Sequence, residues 1–203
     1  MERKYEFTDE TKGHYGRTLH RIVAVRDFGN VKAGDKGGWI EKESNLCHYD
    51  NCWVGENAMV FGEARVIGSA QVYENALVGG YARVYENARV FRNAQVFGCA
   101  QVFGNAQVFG CAQLCGDARV YGSAEVCGNA IVGSDEDYIV FKNWWSSGRY
   151  FTWTRSNNLW AVGCFHGTGE ELIRKAYCDS EESGREYERI VRYVEEILKA
   201  EEE

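Results

Sequence analysis

The chain contains no proline in 203 residues. Ordinary usage would supply about ten, and their absence fits long stretches in which every backbone N–H serves a hydrogen-bond ladder. Long apolar runs are missing too. None approaches the roughly 20 residues of a membrane span, which argues against a helical membrane protein. No cysteine pair has C-x-x-C spacing, and the four histidines (14, 20, 48 and 166) are scattered. The eight cysteines therefore read as reduced thiols acting as small apolar residues, with no metal site and no cofactor. Threonine is absent between residues 19 and 151, which excludes the Thr ladders of ice binding. Gly-Asp calcium-binding series, a Walker loop and a Ser–His–Asp arrangement are also missing. What the chain does have is 28 aromatic residues, 23 glycines and a net charge of −7. That composition predicts a folded, soluble protein and argues against nonspecific binding of duplex nucleic acid.

The middle of the chain is an internal repeat. Alanine recurs thirteen times from Ala58 to Ala130 at a strict spacing of six, and two residues after each stands valine, with Leu114 the one replacement. Within a unit such as Ala106-Gln107-Val108-Phe109-Gly110-Cys111, the first four residues alternate as a strand does, so Ala and Val share one side. The last two residues form a corner, where Gly and Asn tolerate left-handed backbone angles. Short strands joined by regular corners must coil, and the coils stack their strands in parallel about 4.8 Å apart.

This pattern resembles the hexapeptide-repeat, left-handed β-helix proteins; Val102-Phe103-Gly104-Asn105-Ala106-Gln107 matches their register. The resemblance implies a mainly β fold of about five triangular coils, with residues 18 apart in a stack. The stretch Arg21-Ile22-Val23-Ala24-Val25-Arg26-Asp27-Phe28, with Val31-Lys32-Ala33-Gly34 and Gly37-Gly38-Trp39-Ile40, is similar to the start of YdcK-type acetyltransferases and of phage-encoded relatives. Three regions follow: a capping segment over 1–37, with one or two strands expected in 15–37, the β-helix over 38–135, and an α+β domain over 136–203. Ile40, Ser44 and Leu46 fit one unit; two extra residues around His48 to Asp50 then interrupt the phase, and Cys52 and Val54 restore it. In the last region Tyr138–Phe141, Tyr150–Thr154 and Leu159–Cys164 read as strands. Two helices follow, with capping boxes at Thr168/Glu171 and Ser183/Glu186, and the second carries an apolar stripe from Tyr187 to Leu198.

An 18-residue coil sorts the outward residues into three faces. One is basic and aromatic, with Arg65, Arg83 and Arg119 beside Tyr85, Phe103 and Tyr121. Guanidinium and ring together can hold a planar anion or an acidic surface. A second carries Gln71, Arg89, Gln107 and Glu125 beside Tyr73, Phe91, Phe109 and Cys127. The third has no charge: Met59, Leu77, Gln95 and Gln113 stand with Phe61 and Phe97. An uncharged ring-bearing face is a candidate for self-association, and by analogy with the fold family for a trimer.

Function remains open among three classes. The family resemblance implies acyl transfer from CoA, with a His as general base, yet Ala58 to Asp135 contains neither His nor Lys. His48 and His166 are the remaining candidates for that role. The densest cluster of recognition-type residues is Trp144, Trp145, Arg149, Tyr150, Trp153, Arg155, Asn157 and Trp160. These residues can form a pocket in which rings stack on a base and arginines hold phosphate. The reading favoured on sequence is a non-catalytic, self-associating protein that sequesters a small anionic or nucleotide-like ligand, as a phage counter-defence sponge would. An acyltransferase and a purely structural assembly module are the alternatives. The opening MERKYEF lacks the layout of a signal peptide, so the expected location is the cytoplasm, or the host cytoplasm for a phage-encoded protein.

Overall fold

The computed structural model of the chain describes residues 3–143 and 146–201. It divides into two compact units, 1–137 and 138–203. No helix among the described residues is long and apolar enough to cross a membrane.

The first unit is a parallel β-solenoid. After β1 (Tyr5–His14), β2 (Arg17–Ala24) and β3 (Lys36–Ile40) come fourteen two-residue strands, from β4 (Trp53–Val54) to β17 (Ile131–Val132). They pair at a separation of 18, as in Gln95↔Gln113 and Val96↔Leu114. Each Ala and Val of the repeat is fully buried, so the interior is a column of alternating small and branched side chains. In each of the nine units from Ala58 to Cys111 three N–H groups pass to the next coil; Gln95, Phe97 and Cys99 donate to the carbonyls of Ala112, Leu114 and Gly116 at 2.8–2.9 Å. A proline at any of these positions would remove a rung.

The corners assign their two residues different tasks. The first is left-handed throughout: glycine at 62, 68, 80, 98, 104, 110, 116, 122 and 128, but Glu56, Glu74, Glu86 and Arg92 elsewhere, with φ of 54–60°. The expectation that Asn supplies the left-handed angle is therefore corrected. Asn75, Asn87, Asn93 and Asn105 stand second and instead join coil to coil, Asn75 to Asn93 and Asn87 to Asn105 both at 3.3 Å.

At the start of the solenoid, β1 and β2 form an antiparallel hairpin, and β2 pairs antiparallel with β3. The sheet of the charge-free face thus has eight strands, β1 to β3 having joined it edge to edge. β1 begins ten residues earlier than the capping strands expected from residue 15. The two-residue interruption is where the phase shift placed it: Ile40 pairs with Val60, twenty residues on, whereas Val54 pairs with Val72. Lys4 fills this bulge. Fully buried, its ammonium donates to the carbonyls of Cys52 (2.7 Å), Tyr49 (3.3 Å) and Asp50 (3.4 Å) and lies 4.9 Å from the Phe28 ring. The charge is buried with its donors answered, the condition under which such burial is tolerated.

The second unit is an antiparallel meander, β18 (Tyr138–Lys142), β19 (Tyr150–Thr154), β20 (Leu159–Val162) and β21 (Phe165–Gly167), followed by α1 (Gly169–Asp179) and α2 (Glu181–Glu201). The fourth strand was not expected. Thr168 caps α1 with a capping box to Glu171, in agreement with its sequence signature. The second box is corrected: α2 begins at Glu181, and Ser180, the C-cap residue of α1, accepts the Ser183 N–H at 3.1 Å. One serine ends one helix and starts the next. Tyr187, Val191 and Val194 of α2 pack on Phe151, Trp153 and Trp160 of the sheet.

The corner geometry makes a paired prediction. At Gly98 (φ +69°) a Cβ would lie 2.8 Å from the Gly116 carbonyl, whereas at Gly122 (φ +68°) it would meet nothing within 4 Å. Gly122→Ala should therefore cost only the left-handed strain, about 1–2 kcal/mol. Gly98→Ala should cost measurably more in urea unfolding, and equal losses would contradict the close coil-to-coil approach.

Candidate functional site

A recess lies where the irregular start of the chain meets the second face. The turn at Phe28–Val31 closes on itself by reciprocal backbone bonds, Phe28 N–H to Val31 at 3.0 Å and Val31 N–H to Phe28 at 2.8 Å. Asp27 anchors the following loop by accepting the Ala33 N–H at 3.0 Å, and this bond with the Lys32 ammonium holds its carboxyl below the ordinary range. Gly29 (φ +50°) sits against Asn51. Between this turn and the solenoid run two adjoining cavities, which share Asn30, Val31 and Gln71. The larger, about 330 Å³, is polar and adds Gly29, Asn51, Ser69, Asn87 and Arg89. The smaller, about 210 Å³, adds Trp53 and Tyr73. Together they make one groove with an aromatic end and an amide-rich end.

The repeat register explains the lining. Trp53, Gln71, Arg89 and Gln107 occupy one ladder, each paired with the next, so three successive coils present indole, amide and guanidinium along a line. Arg89 is exposed and is the one charged residue of the lining. Burial pushes the Tyr73 phenol above its ordinary value against the opposing pull of Arg89. Phe28 holds the Trp53 indole edge-on at 5.3 Å.

The residues singled out on sequence sit elsewhere. Trp153 and Trp160 are 1% and 2% exposed and form the core of the second unit with Phe151. The Trp153 indole N–H donates to Asn158 at 2.8 Å, and Asn157 accepts from Thr154 and from the Leu159 N–H. Arg155 pairs with Glu201 at 2.7 Å, while Arg149 and Tyr150 are exposed, with Lys142 5.2 Å from the Tyr150 ring. Trp144 and Trp145 lie outside the described residues. Among the described residues of that cluster, Trp153 and Trp160 thus belong to a hydrophobic core and Arg155 to a surface ion pair. The two indoles are buried because a four-stranded sheet this short needs large side chains to bury enough area against two helices.

On the basic face the rings satisfy one another. Tyr85 stacks on Phe103 (4.9 Å, 3°) and Phe103 on Tyr121 (5.2 Å, 13°), with the Arg119 guanidinium 5.6 Å from Phe103 and the Tyr85 hydroxyl on Gln101 at 3.1 Å. Arg65 and Arg83 are exposed on neighbouring coils. On the uncharged face Phe61 is buried: it meets Phe97 at 6.1 Å across Gly79, where a Cβ would come within 2.7 Å of Phe61, and meets His14 of β1 at 5.0 Å. Met59, Leu77, Gln95 and Phe97 are half-buried and Gln113 is exposed. The hairpin and the missing side chain at Gly79 cover part of the apolar surface expected to drive self-association.

His48 is locked in place. Its Nδ1 accepts the Lys4 N–H at 3.3 Å, Nε2 faces the Glu43 carboxylate at 3.3 Å, and the ring stacks on Tyr5 at 4.2 Å. With the Nδ1 lone pair accepting the Lys4 N–H, Nε2 is left to donate to Glu43, and the ring offers no free lone pair for an incoming substrate proton. A cavity of about 320 Å³ nearby joins His48 to Arg65 and Ile67. His166 is exposed on β21. The groove residues Asn30, Val31 and Trp53 had no signal in the repeat pattern, since the first two belong to the non-repeating start.

Against known proteins, residues 82–98 and 112–128 match the repeat family described as YdcK Beta solenoid repeat. The two stretches resemble YdcK-type β-solenoid repeats. A stretch of 54 residues is 43% identical to the "Uncharacterized acetyltransferase YdcK" of Escherichia coli (strain K12), covering 26% of this chain and 17% of that protein. The matched stretch spans under a fifth of that relative's length.

Trp153→Ala should lower the stability of the second unit by about 3–5 kcal/mol, whereas Arg149→Ala should change it little. Thermal unfolding of both variants checks the assignment; a silent Trp153→Ala would return the indole to a binding role.

Proposed function

We propose that the protein binds a small anionic ligand in the groove between the Phe28–Val31 turn and the second face of the solenoid, and holds it without turnover. One observation carries this reading: amides, rings and a single guanidinium converge on one recess. Asn30, Asn51, Gln71 and Asn87 supply neutral donors and acceptors, Trp53 and Tyr73 supply apolar surface, and Arg89 supplies the charge. Such a set fixes orientation and sign of charge. It contains no histidine, carboxylate or lysine, and the Ser69 hydroxyl has no base among the lining residues to activate it. Binding without chemistry fits capture or sequestration of a metabolite-sized anion.

Acyl transfer is the second reading, favoured by the name that the Escherichia coli relative carries. The two separate experimentally. Native mass spectrometry of the protein as purified reports retained small molecules, and a thermal-shift screen of phosphorylated and carboxylated metabolites finds added ones. Arg89→Ala should weaken binding of the best anion about 10-fold or more, the worth of a charge-assisted hydrogen bond, with His48→Ala leaving it unchanged. Consumption of acetyl-CoA that is abolished by His48→Ala or His166→Ala would replace the binding reading with the enzymatic one.

A further inference from the structure

The second face carries a column of stacked rings. Tyr73 lies on Phe91 at 5.0 Å with planes 2° apart, and Phe91 on Phe109 at 4.9 Å and 11°. Above Tyr73 the backbone rung continues, the Gly55 N–H donating to Val72 at 2.8 Å, but the side chain stops. Position 55 is a glycine, and among the described residues Tyr73 pairs with no ring other than Phe91.

This glycine answers to neither of the usual needs. Its φ is not among the positive values of the chain, so the backbone does not require it. A Cβ there would make ordinary contacts, 3.5 Å to Trp53 and 3.7 Å to Tyr73. Gly79 on the neighbouring face is different, since a Cβ would collide with Phe61 and Phe97 at 2.7 and 2.9 Å. At the interrupted end of the column lies the 210 Å³ cavity lined by Tyr73, Trp53, Gln71, Asn30 and Val31.

From these observations, and resting on the groove being a binding site, we propose that a flat heteroaromatic ring of the ligand stacks on Tyr73 and takes the next place in the column. The ligand class is a nucleoside monophosphate or a molecule of the same build. Its ring lies between Tyr73 and the Trp53 indole, with the Asn30 and Gln71 amides at hand for ring-edge heteroatoms. The polar middle faces Asn51, Ser69 and Asn87, and the anionic group lies toward Arg89, the charged residue of the adjoining cavity. Aromatic stacking is tolerant of base identity, so the slot selects for a planar ring more than for one base.

Isothermal titration with the four ribonucleoside monophosphates and with ribose 5-phosphate tests this on the full chain. At least one nucleotide should bind about tenfold or more tighter than ribose 5-phosphate. Gly55→Phe, which places the column's own ring on Tyr73, and Tyr73→Leu, which removes the platform, should each bring that nucleotide down to the ribose 5-phosphate level. Either variant alone suffices if the other fails to fold. If ribose 5-phosphate and the nucleotides bind equally and Arg89→Ala weakens both, the groove stands and the ring slot is overturned. If none of the five probes binds, the ring proposal falls, and the groove is then judged by the broader anion screen.

Discussion

Each coil of the solenoid hands its N–H groups to the carbonyls of the coil 17 residues further on, and everything else in the first unit follows from that obligation. Donors at the outward strand positions and at the second corner residue, with a left-handed φ at the first, leave no place for proline. A closed rung of 18 residues forces three bends, and each bend needs a left-handed residue. The shared interior admits only side chains that can sit directly above their copies, as the fully buried Ala and Val do. Stacked identical side chains on the outside then become columns of rings, amides and guanidinium groups, and the surface chemistry is set one column at a time.

Columns also explain where function can arise in so regular an object. A regular ladder satisfies itself: the Tyr85–Phe103–Tyr121 rings stack, and the Asn ladders bond along the corner. Unmet recognition capacity is left where a column is broken or where a non-repeating segment overhangs it. Both happen on the second face at the first coils, where Trp53 heads the amide column, Gly55 heads the ring column, and the Phe28–Val31 turn forms a wall. The bulge at Tyr49–Asp50 belongs to the same region, held by the buried Lys4 ammonium and by the Tyr5 hydroxyl, which donates to Leu46 at 2.8 Å.

The repeating parts of this architecture are legible in the amino-acid sequence. The Ala/Val phase defines the coils, the separation of 18, the interruption near His48 and the sorting of faces, because burial of a period-two pattern admits one register. The groove is not legible there, since Asn30 and Val31 reach it through a turn whose closure depends on tertiary pairing. The Trp-rich segment misleads for a related reason. Trp and Arg interleaved in sequence look alike whether the indoles face a ligand or a helix, and the partner that decides it, the Tyr187–Val194 stripe of α2, lies far along the chain. The second capping box fails because Ser180, followed by Glu181 and Glu182, and Ser183, three before Glu186, both look like helix starts, and only the helix junction shows which one the chain uses.

Coil-to-coil contacts that span only 16 to 20 residues make the solenoid a linear series of similar links, in which a coil is stabilised by its two neighbours alone. Such a series opens from its ends inward, and the outermost links are the least protected. The groove is built on the first of them. The residues that tie down that end, Lys4, Tyr5 and the β1–β2 hairpin, are therefore the ones that set how long the groove stays assembled, so its lifetime is governed by the few residues that precede the repeat.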